Sequence, residues 1–387
     1  MIEHTANWNY PNSIRVGPGR IRELAEACRQ LGMTAPLLVT DPGLAVLPMV
    51  EDALAACCRA GLECSLFAGV QGNPTGSNVE DGVAAFNAGK HDGVIAFGGG
   101  SSLDAAKAVA LMAGQERPLW DFEDVGDNWT RVNEAGICPI VAVPTTAGTG
   151  SEVGRASVIV DEARQVKKII FHPKMLPSVA ILDPLLTTGL PPHITAATGM
   201  DALSHNLEAF CAPFYHPMAE GIAVEGVRLV KEYLPRAVAD GEDIEARTQM
   251  LVAASMGAAA FQKGLGGMHA LAHPLGALYN AHHGLLNAIL MPYVLKANRG
   301  AIEVRIERLA RYLHLSESGF DGFLNWVLLL REQLGITHSL AGLDIDDSDA
   351  ERVGRMAAED PSAAGNPIAF SAEDYSRIFR TAVQGQA

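Results

Sequence analysis

The chain has 387 residues, 48% hydrophobic and 19% charged, which suits two well-buried globular domains and argues against a disordered or fibrous chain. Its formal charge of −15 argues against nucleic acid, whose phosphates need a basic surface, and against docking on anionic membranes. Residues 1–8 lack the basic and apolar blocks of a signal peptide, and no stretch offers the roughly 18 apolar residues of a spanning helix. The cysteines at 28, 57, 58, 64, 138 and 211 form no CxxC pair, so they are expected to be reduced, mostly buried thiols in a cytoplasm.

Up to residue 184 strands and helices alternate. A short apolar strand at 37–40 stops at Asp41-Pro42-Gly43, a helix follows over 48–60, and 63–67 reads as the next strand. Asn73-Pro74-Thr75 makes a turn, and Asn78 is placed to cap a helix ending near Ala88. The strand at 93–97 runs straight into Gly98-Gly99-Gly100-Ser101-Ser102, then a helix over 103–112 carries Asp104 and Lys107. A polar loop covers 121–133, and a strand at 139–144 ends in Thr145-Thr146-Ala147-Gly148-Thr149-Gly150-Ser151. Strands separated by helices of this length imply parallel βαβ units. Beyond Asp183-Pro184 strand signals become scarce, and helical periodicity dominates over 219–233, 244–261 and 302–313. The expected fold is therefore an α/β N-terminal dinucleotide-binding domain, 1–184, followed by an all-α domain, 185–387. The cleft between them is the expected place for a site.

Strand, glycine loop, helix is the geometry that cradles phosphate: glycines admit the anion to the backbone, and helix N-terminal amides point at it. With Leu103 in place of the last glycine this is not G-x-G-x-x-G, and no Gly-Lys-Ser/Thr follows. The Gly/Thr-rich loop at 145–151 also follows a strand, so both loops can flank one ligand at the sheet's carboxyl edge. Asp41, at the tip of the first strand, suits a ribose diol and repels a 2′-phosphate; an ordinary Asp-Pro-Gly turn accounts for it equally well.

The stretch from Gly264 to Gly284 holds His269, His273, His282 and His283 among small and apolar residues. His269 and His273 are four apart and share a helical face, either as a satisfied core pair or as half of a metal site. Asp201 and His205 repeat that spacing on a second helix, so the two helices can converge on one divalent cation, with His283 as a later ligand. Pro274, directly after His273, is expected to disturb its helix.

With these motifs the sequence resembles the iron-dependent (group III) alcohol dehydrogenase family nearly end to end. The likeness runs through the Asp41 strand, Asn73-Pro74-Thr75, the 98–107 and 144–152 loops, Gly199-Met200-Asp201-Ala202-Leu203-x-His205, and the His269…His273-Pro274…His283-Gly284 stretch. The resemblance implies an NAD-dependent, homo-oligomeric alcohol dehydrogenase that uses Fe²⁺ or Zn²⁺ on a small alcohol or aldehyde. It implies Asp201, His205, His269 and His283 as metal ligands and His273 as a proton relay. It places Gly98, Gly99, Gly100, Ser101 and Ser102 on the pyrophosphate, and Asn73, Asp104, Thr145, Thr146, Thr149 and Lys167 around the remaining cofactor. Asp41 falls beside the adenine ribose. Lys168 leaves the lysine register open by one, and His282 competes with His283 for the last ligand position. Arg155, if it faces the site, suits a substrate carboxylate such as that of 4-hydroxybutyrate. Maleylacetate reductases share the resemblance but lack the metal ligands, and dehydroquinate synthases need a basic cluster that the helical half does not offer.

Overall fold

The computed structural model describes residues 6–8 and 12–386; of the N-terminal stretch read for targeting, Met1 to Thr5 lie outside the described residues. The chain divides into two compact units. The first runs to Thr146 and resumes over Gly150–Gly189, and the second takes Ala147–Thr149 and Leu190–Ala387. The division falls a few residues beyond the expected 184 and moves three residues of the Gly/Thr loop into the second unit.

The first unit is built on strands β1 (Ala6–Trp8), β2 (Ser13–Val16), β3 (Pro36–Val39), β4 (Ser65–Phe67), β5 (Gly93–Gly98), β6 (Ile140–Pro144) and β9 (Val179–Leu182), with β7 (Ala156–Asp161) and β8 (Val166–Phe171) as a separate antiparallel hairpin. The sheet order is β1-β2-β9-β6-β5-β3-β4, parallel except for β1 against β2. The core strands read as continuous apolar runs because both faces are covered. Leu37, Val39, Val94 and Ala96 pack with helices α4 (Gly76–Ala88) and α5 (Gly100–Met112), while Leu38, Ile95, Phe97 and Val141 face Cys28 of α1 (Leu24–Gln30) and Cys57 of α3 (Pro48–Arg59). Between β3 and α3 lies the short α2 (Pro42–Ala45).

Three details differ from expectation. Helix α4 starts earlier than an Asn78 cap would place it. Thr75 is the cap, and Asn78 at the third position returns a bond to the Thr75 amide, so the two form a capping box. Helix α5 begins inside the glycine run rather than at Leu103. The hairpin β7–β8 adds two strands beyond those expected: buried and half-buried residues alternate along it, but polar Ser157, Asp161 and Lys168 take buried places, so hydropathy does not record the period.

The second unit is helical: α6 (Pro192–Cys211), α7 (Pro217–Ala239), α8 (Ile244–Ala260), α9 (Gly267–Tyr279), α10 (His283–Tyr312), α11 (Gly319–Gln333), α12 (Ala350–Glu359) and α13 (Ala372–Gln384). Helix α6 is covered on every side by α7, α8 and α10, which is why it shows no single apolar stripe. Among the described residues three prolines sit inside helices without ending them, the first being Pro235 in α7. Pro274 lies mid-way in α9, and the disturbance expected there does not end the helix. In α10, Pro292 removes the amide that would serve the Ala288 carbonyl, and the fully buried Arg331 donates there (3.4 Å) and to the Ile289 carbonyl (2.8 Å) instead. All six cysteines are free; Cys28, Cys57 and Cys211 are buried, and Cys58 is exposed. No helix among the described residues is long and apolar enough to cross a membrane.

Candidate active site

In the first unit the chain steps from β3 outward to β4, then back to β5 on the other side of β3, so the sheet's switch point lies at the carboxyl ends of β3 and β5. Crevices of this kind bind ligands in open α/β sheets. Asp41 follows β3 and the glycine run follows β5. The Ser102 hydroxyl donates to Asp41 Oδ2 at 3.2 Å, which ties the two tips together. Gly98 has φ +141°, and a Cβ there would lie 2.8 Å from the Ser102 Cβ and Oγ. Only glycine fits that approach. Gly99 occupies the cap position of α5 without a side chain to satisfy the first amides, so the amides of Gly100, Ser101 and Ser102 open a helix N-terminus suited to phosphate.

The remaining candidates in this unit divide by what their side chains already do. Asp41 Oδ1 caps α2 by accepting the Gly43 (2.9 Å) and Leu44 (3.0 Å) amides, so both readings of this residue have a physical basis. Asp104 accepts from the Ser151 hydroxyl (2.6 Å) and the Val158 amide (2.9 Å) and pairs with Lys107 (3.1 Å). Its carboxylate thus braces α5 against the hairpin and the Gly/Thr loop. Ser101 donates to the Gly72 carbonyl beside Asn73. The Thr145 amide donates to the Gly98 carbonyl at 2.9 Å, and Thr146 lies against Gly99. Lys168 is buried against Glu123 (3.0 Å) and Asp161 (3.3 Å) and lies over the Trp120 ring, while Lys167 takes the opposite face of β8. Arg155 is exposed, its guanidinium 5.6 Å above the centre of the Phe171 ring.

In the second unit Asp201, His205, His269 and His283 each offer a ligand atom, and all four atoms lie within 4.8 Å of one another. Asp201 and His205 come from one face of α6, His269 from the first turn of α9, and His283 from the first residue of α10. Glycine makes the last approach possible. A Cβ on Gly284 would lie 2.5 Å from the Ala197 carbonyl and 3.0 Å from Asp201 Cβ, so only glycine lets α10 begin against the α6 backbone. The neighbouring His282 is exposed and caps α10, accepting the Leu285 amide at 3.4 Å; it is His283 that enters the cluster. The loop residue Gly148 also packs closely on α6, a Cβ there lying 2.9 Å from Thr198 Cβ.

Carboxylates form an outer layer that spacing did not reveal. Glu208, one turn beyond His205, accepts His269 Nδ1 at 2.6 Å and the Gly266 and Met268 amides at 2.8 and 2.7 Å, all buried. This fixes the ring and leaves His269 Nε2 for the cluster. Asp360 accepts His273 Nδ1 at 2.8 Å and the Ser362 amide at 2.8 Å. His273 stacks on His283 with centroids 5.4 Å apart but is not one of the four clustered donors. Burial pushes the His205 imidazole down to about 4, against the opposing pull of Asp201, and so keeps it neutral. Burial acts the same way on His269, yet the Glu208 carboxylate outweighs it and the net shift is upward. Burial pushes the Asp360 carboxyl up, and the His273 ring and Ser362 more than reverse it.

The donor set fits a divalent cation on its chemistry. Three imidazoles and one carboxylate suit Fe²⁺ and Zn²⁺, at least one imidazole is held neutral, and the buried His205 Nδ1 has no hydrogen-bond partner.

A glycine loop at the switch point of a parallel sheet and an Asp-His₃ cluster in a helical unit are the parts that a metal-dependent dehydrogenase needs. Comparison with known proteins agrees. The family model for iron-containing alcohol dehydrogenase matches residues 11–184, and that for the C-terminal part of the Fe-containing alcohol dehydrogenase family matches residues 195–383. The chain is 38% identical to 4-hydroxybutyrate dehydrogenase of Cupriavidus necator, over 96% of this chain and 98% of that one. It is 35% identical to the NAD-dependent methanol dehydrogenase of Bacillus methanolicus, over 97% and 100% of the two chains. A crystal structure of 1,3-propanediol oxidoreductase superposes with a TM-score of 0.90 at 34% identity, covering 99% of this chain and 100% of that one. The chain belongs to the iron-containing alcohol dehydrogenase family.

Proposed function

We propose that this alcohol dehydrogenase passes hydride between a short primary alcohol, diol or hydroxy acid and NAD, with Asp201, His205, His269 and His283 holding Fe²⁺ or Zn²⁺. The observation that carries this reading is the convergence of the four donors, with Glu208 orienting one of them from behind. When bound, the cation supplies Lewis acidity toward the substrate oxygen, and the nicotinamide supplies the hydride acceptor. The protein's own contribution is positional. Amides of Gly100 to Ser102 receive the pyrophosphate, and Asn73, Thr145, Thr146, Thr149 and Lys167 surround the remaining cofactor. Asp360 engages His273 Nδ1, so the hydroxyl proton lost by the alcohol enters at Nε2.

Substrate preference belongs to the same reading. The relatives act on 4-hydroxybutyrate, methanol and 1,3-propanediol, all small primary alcohols. A kcat/KM panel over these three, with NAD on Fe²⁺- and Zn²⁺-loaded enzyme, is expected to favour one of them by at least an order of magnitude. Turnover of none would overturn the reading. Free cysteines support a reducing cytoplasm, and the exposed Phe214, Tyr215 and Met218 support a homo-oligomer, which sedimentation tests.

Asp41 tests the cofactor. Because Asp41 caps α2, Asp41→Gly would weaken the helix start as well as remove charge; Asp41→Ser keeps a cap while removing the charge and the Oδ2 acceptor of the Ser102 hydroxyl. Relief of a clash with the 2′-phosphate, worth a few kcal/mol at most, is expected to raise the NADP/NAD ratio of kcat/KM by about tenfold or more. An unchanged ratio would leave Asp41 as a turn residue alone.

A further inference from the structure

We infer that Asn287 is a positioning residue for the Asp201, His205, His269, His283 set: its amide covers one face of the set and orients three of the four donors. The inference rests on the metal-site reading above and goes beyond it. Asn287 lies one turn after His283 on α10 and is fully buried. Its Nδ2 is 2.8 Å from Asp201 Oδ1, 3.2 Å from His269 Nε2 and 3.2 Å from His283 Nε2.

The direction of the amide follows from its neighbours. A carboxylate only accepts, so the NH₂ end and not the oxygen must face Asp201. With one N–H on Asp201, the other is shared between His269 Nε2 and His283 Nε2, and an imidazole that accepts it must present its lone pair there. That places the His269 proton on Nδ1, which is the proton Glu208 accepts at 2.6 Å. Asn287 and Glu208, acting from opposite ends of the ring, thus select one tautomer, the one that offers Nε2 to a cation.

Two N–H groups face three acceptors, while Asn287 Oδ1 is buried without a hydrogen-bond partner. An orphaned acceptor costs stability, so packing α10 is a poor reason for an amide at this position. Position on the face is the better one. Nδ2 touches Asp201, His269 and His283 but makes no contact of this kind with His205, so it covers the triangle of those three donors. An amide N–H donates and does not coordinate. A further oxygen ligand, whether water or the substrate hydroxyl, must therefore approach by another face.

Two variants separate this from a purely structural role. Asn287→Leu removes the donor but keeps the face covered; Asn287→Ala removes the donor and uncovers the face. The measurement is Co²⁺ affinity by chelator competition together with the Co²⁺ absorption spectrum, since visible absorption weakens as coordination number rises. Thermal unfolding of the metal-free protein and NADH binding serve as controls on the fold. Both variants are expected to bind Co²⁺ about 10–100-fold more weakly, with NADH binding unchanged. Absorption should keep its intensity in Asn287→Leu and lose intensity in Asn287→Ala, where solvent gains the open face. Parent-like affinity in both variants would overturn the inference, as would an affinity loss matched by a loss of metal-free stability. Failure of the parent itself to bind Co²⁺ would instead overturn the site reading, and this inference with it.

Discussion

Replacing His205 by alanine is expected to yield folded protein that has lost its metal and its turnover together. His205 is buried in α6, its ring stacked on His269 with centroids 4.7 Å apart and tilted against Phe261 at 5.2 Å. Burial drives its imidazole down to about 4, so at neutral pH it stands unprotonated and ready to ligate. No other described residue joins the cluster to replace it. Lewis acidity is worth several kcal/mol to a developing alkoxide, so turnover should fall by about 10³-fold or more. Binding of NADH should survive, because the glycine loop and Asp41 belong to the other unit. Alanine also leaves a cavity, so Asp201→Asn, which keeps its volume, is the companion variant. Elemental analysis is the deciding measurement. Full occupancy in either variant would remove that residue from the ligand set.

His273→Ala is expected to behave differently, keeping its metal while turnover falls by ~10²-fold, the usual scale of a general acid–base contribution. The i, i+4 spacing that makes His269 a candidate applies equally to His273, and α9 continues unbroken past Pro274, so helix geometry alone does not separate them. Their partners do. His269 Nδ1 is held by Glu208 and its Nε2 joins the cluster, while His273 Nδ1 is held by Asp360 at 2.8 Å and the ring lies beside His283 instead. Added imidazole should restore part of the lost rate, since the alanine variant leaves space beside Asp360. Asp360→Asn should show a smaller loss with metal retained, because an amide can still accept from Nδ1 without favouring a positive ring. Metal-free His273→Ala protein would make His273 a ligand and end the relay assignment.

The local chemistry of both units was legible in the sequence by itself. Strand, Gly98-Gly99-Gly100 and helix follow one another in the chain, so a phosphate cradle shows at that level, and the apolar runs of β3, β5 and β6 announce a sheet covered on both faces. Asp201 with His205, and His269 with His273, are one helical turn apart, so each pair is visible as a spacing. What only the tertiary structure decided is which of these groups meet, and what stands behind them. Glu208 reaches His269 across 61 residues, Asp360 reaches His273 across 87, and Asn287 reaches Asp201 across 86. In the chain those residues look like ordinary polar positions on helices, because no local period records a partner on another helix. The choice of His283 over His282 has the same origin. Both sit at the start of α10, but the direction of each ring is set by how closely Gly284 lets that start press on α6. Lys168 shows the principle in the first unit: neighbours at 167 and 168 are alike in sequence, and only strand alternation gives one of them Glu123 and Asp161 as partners.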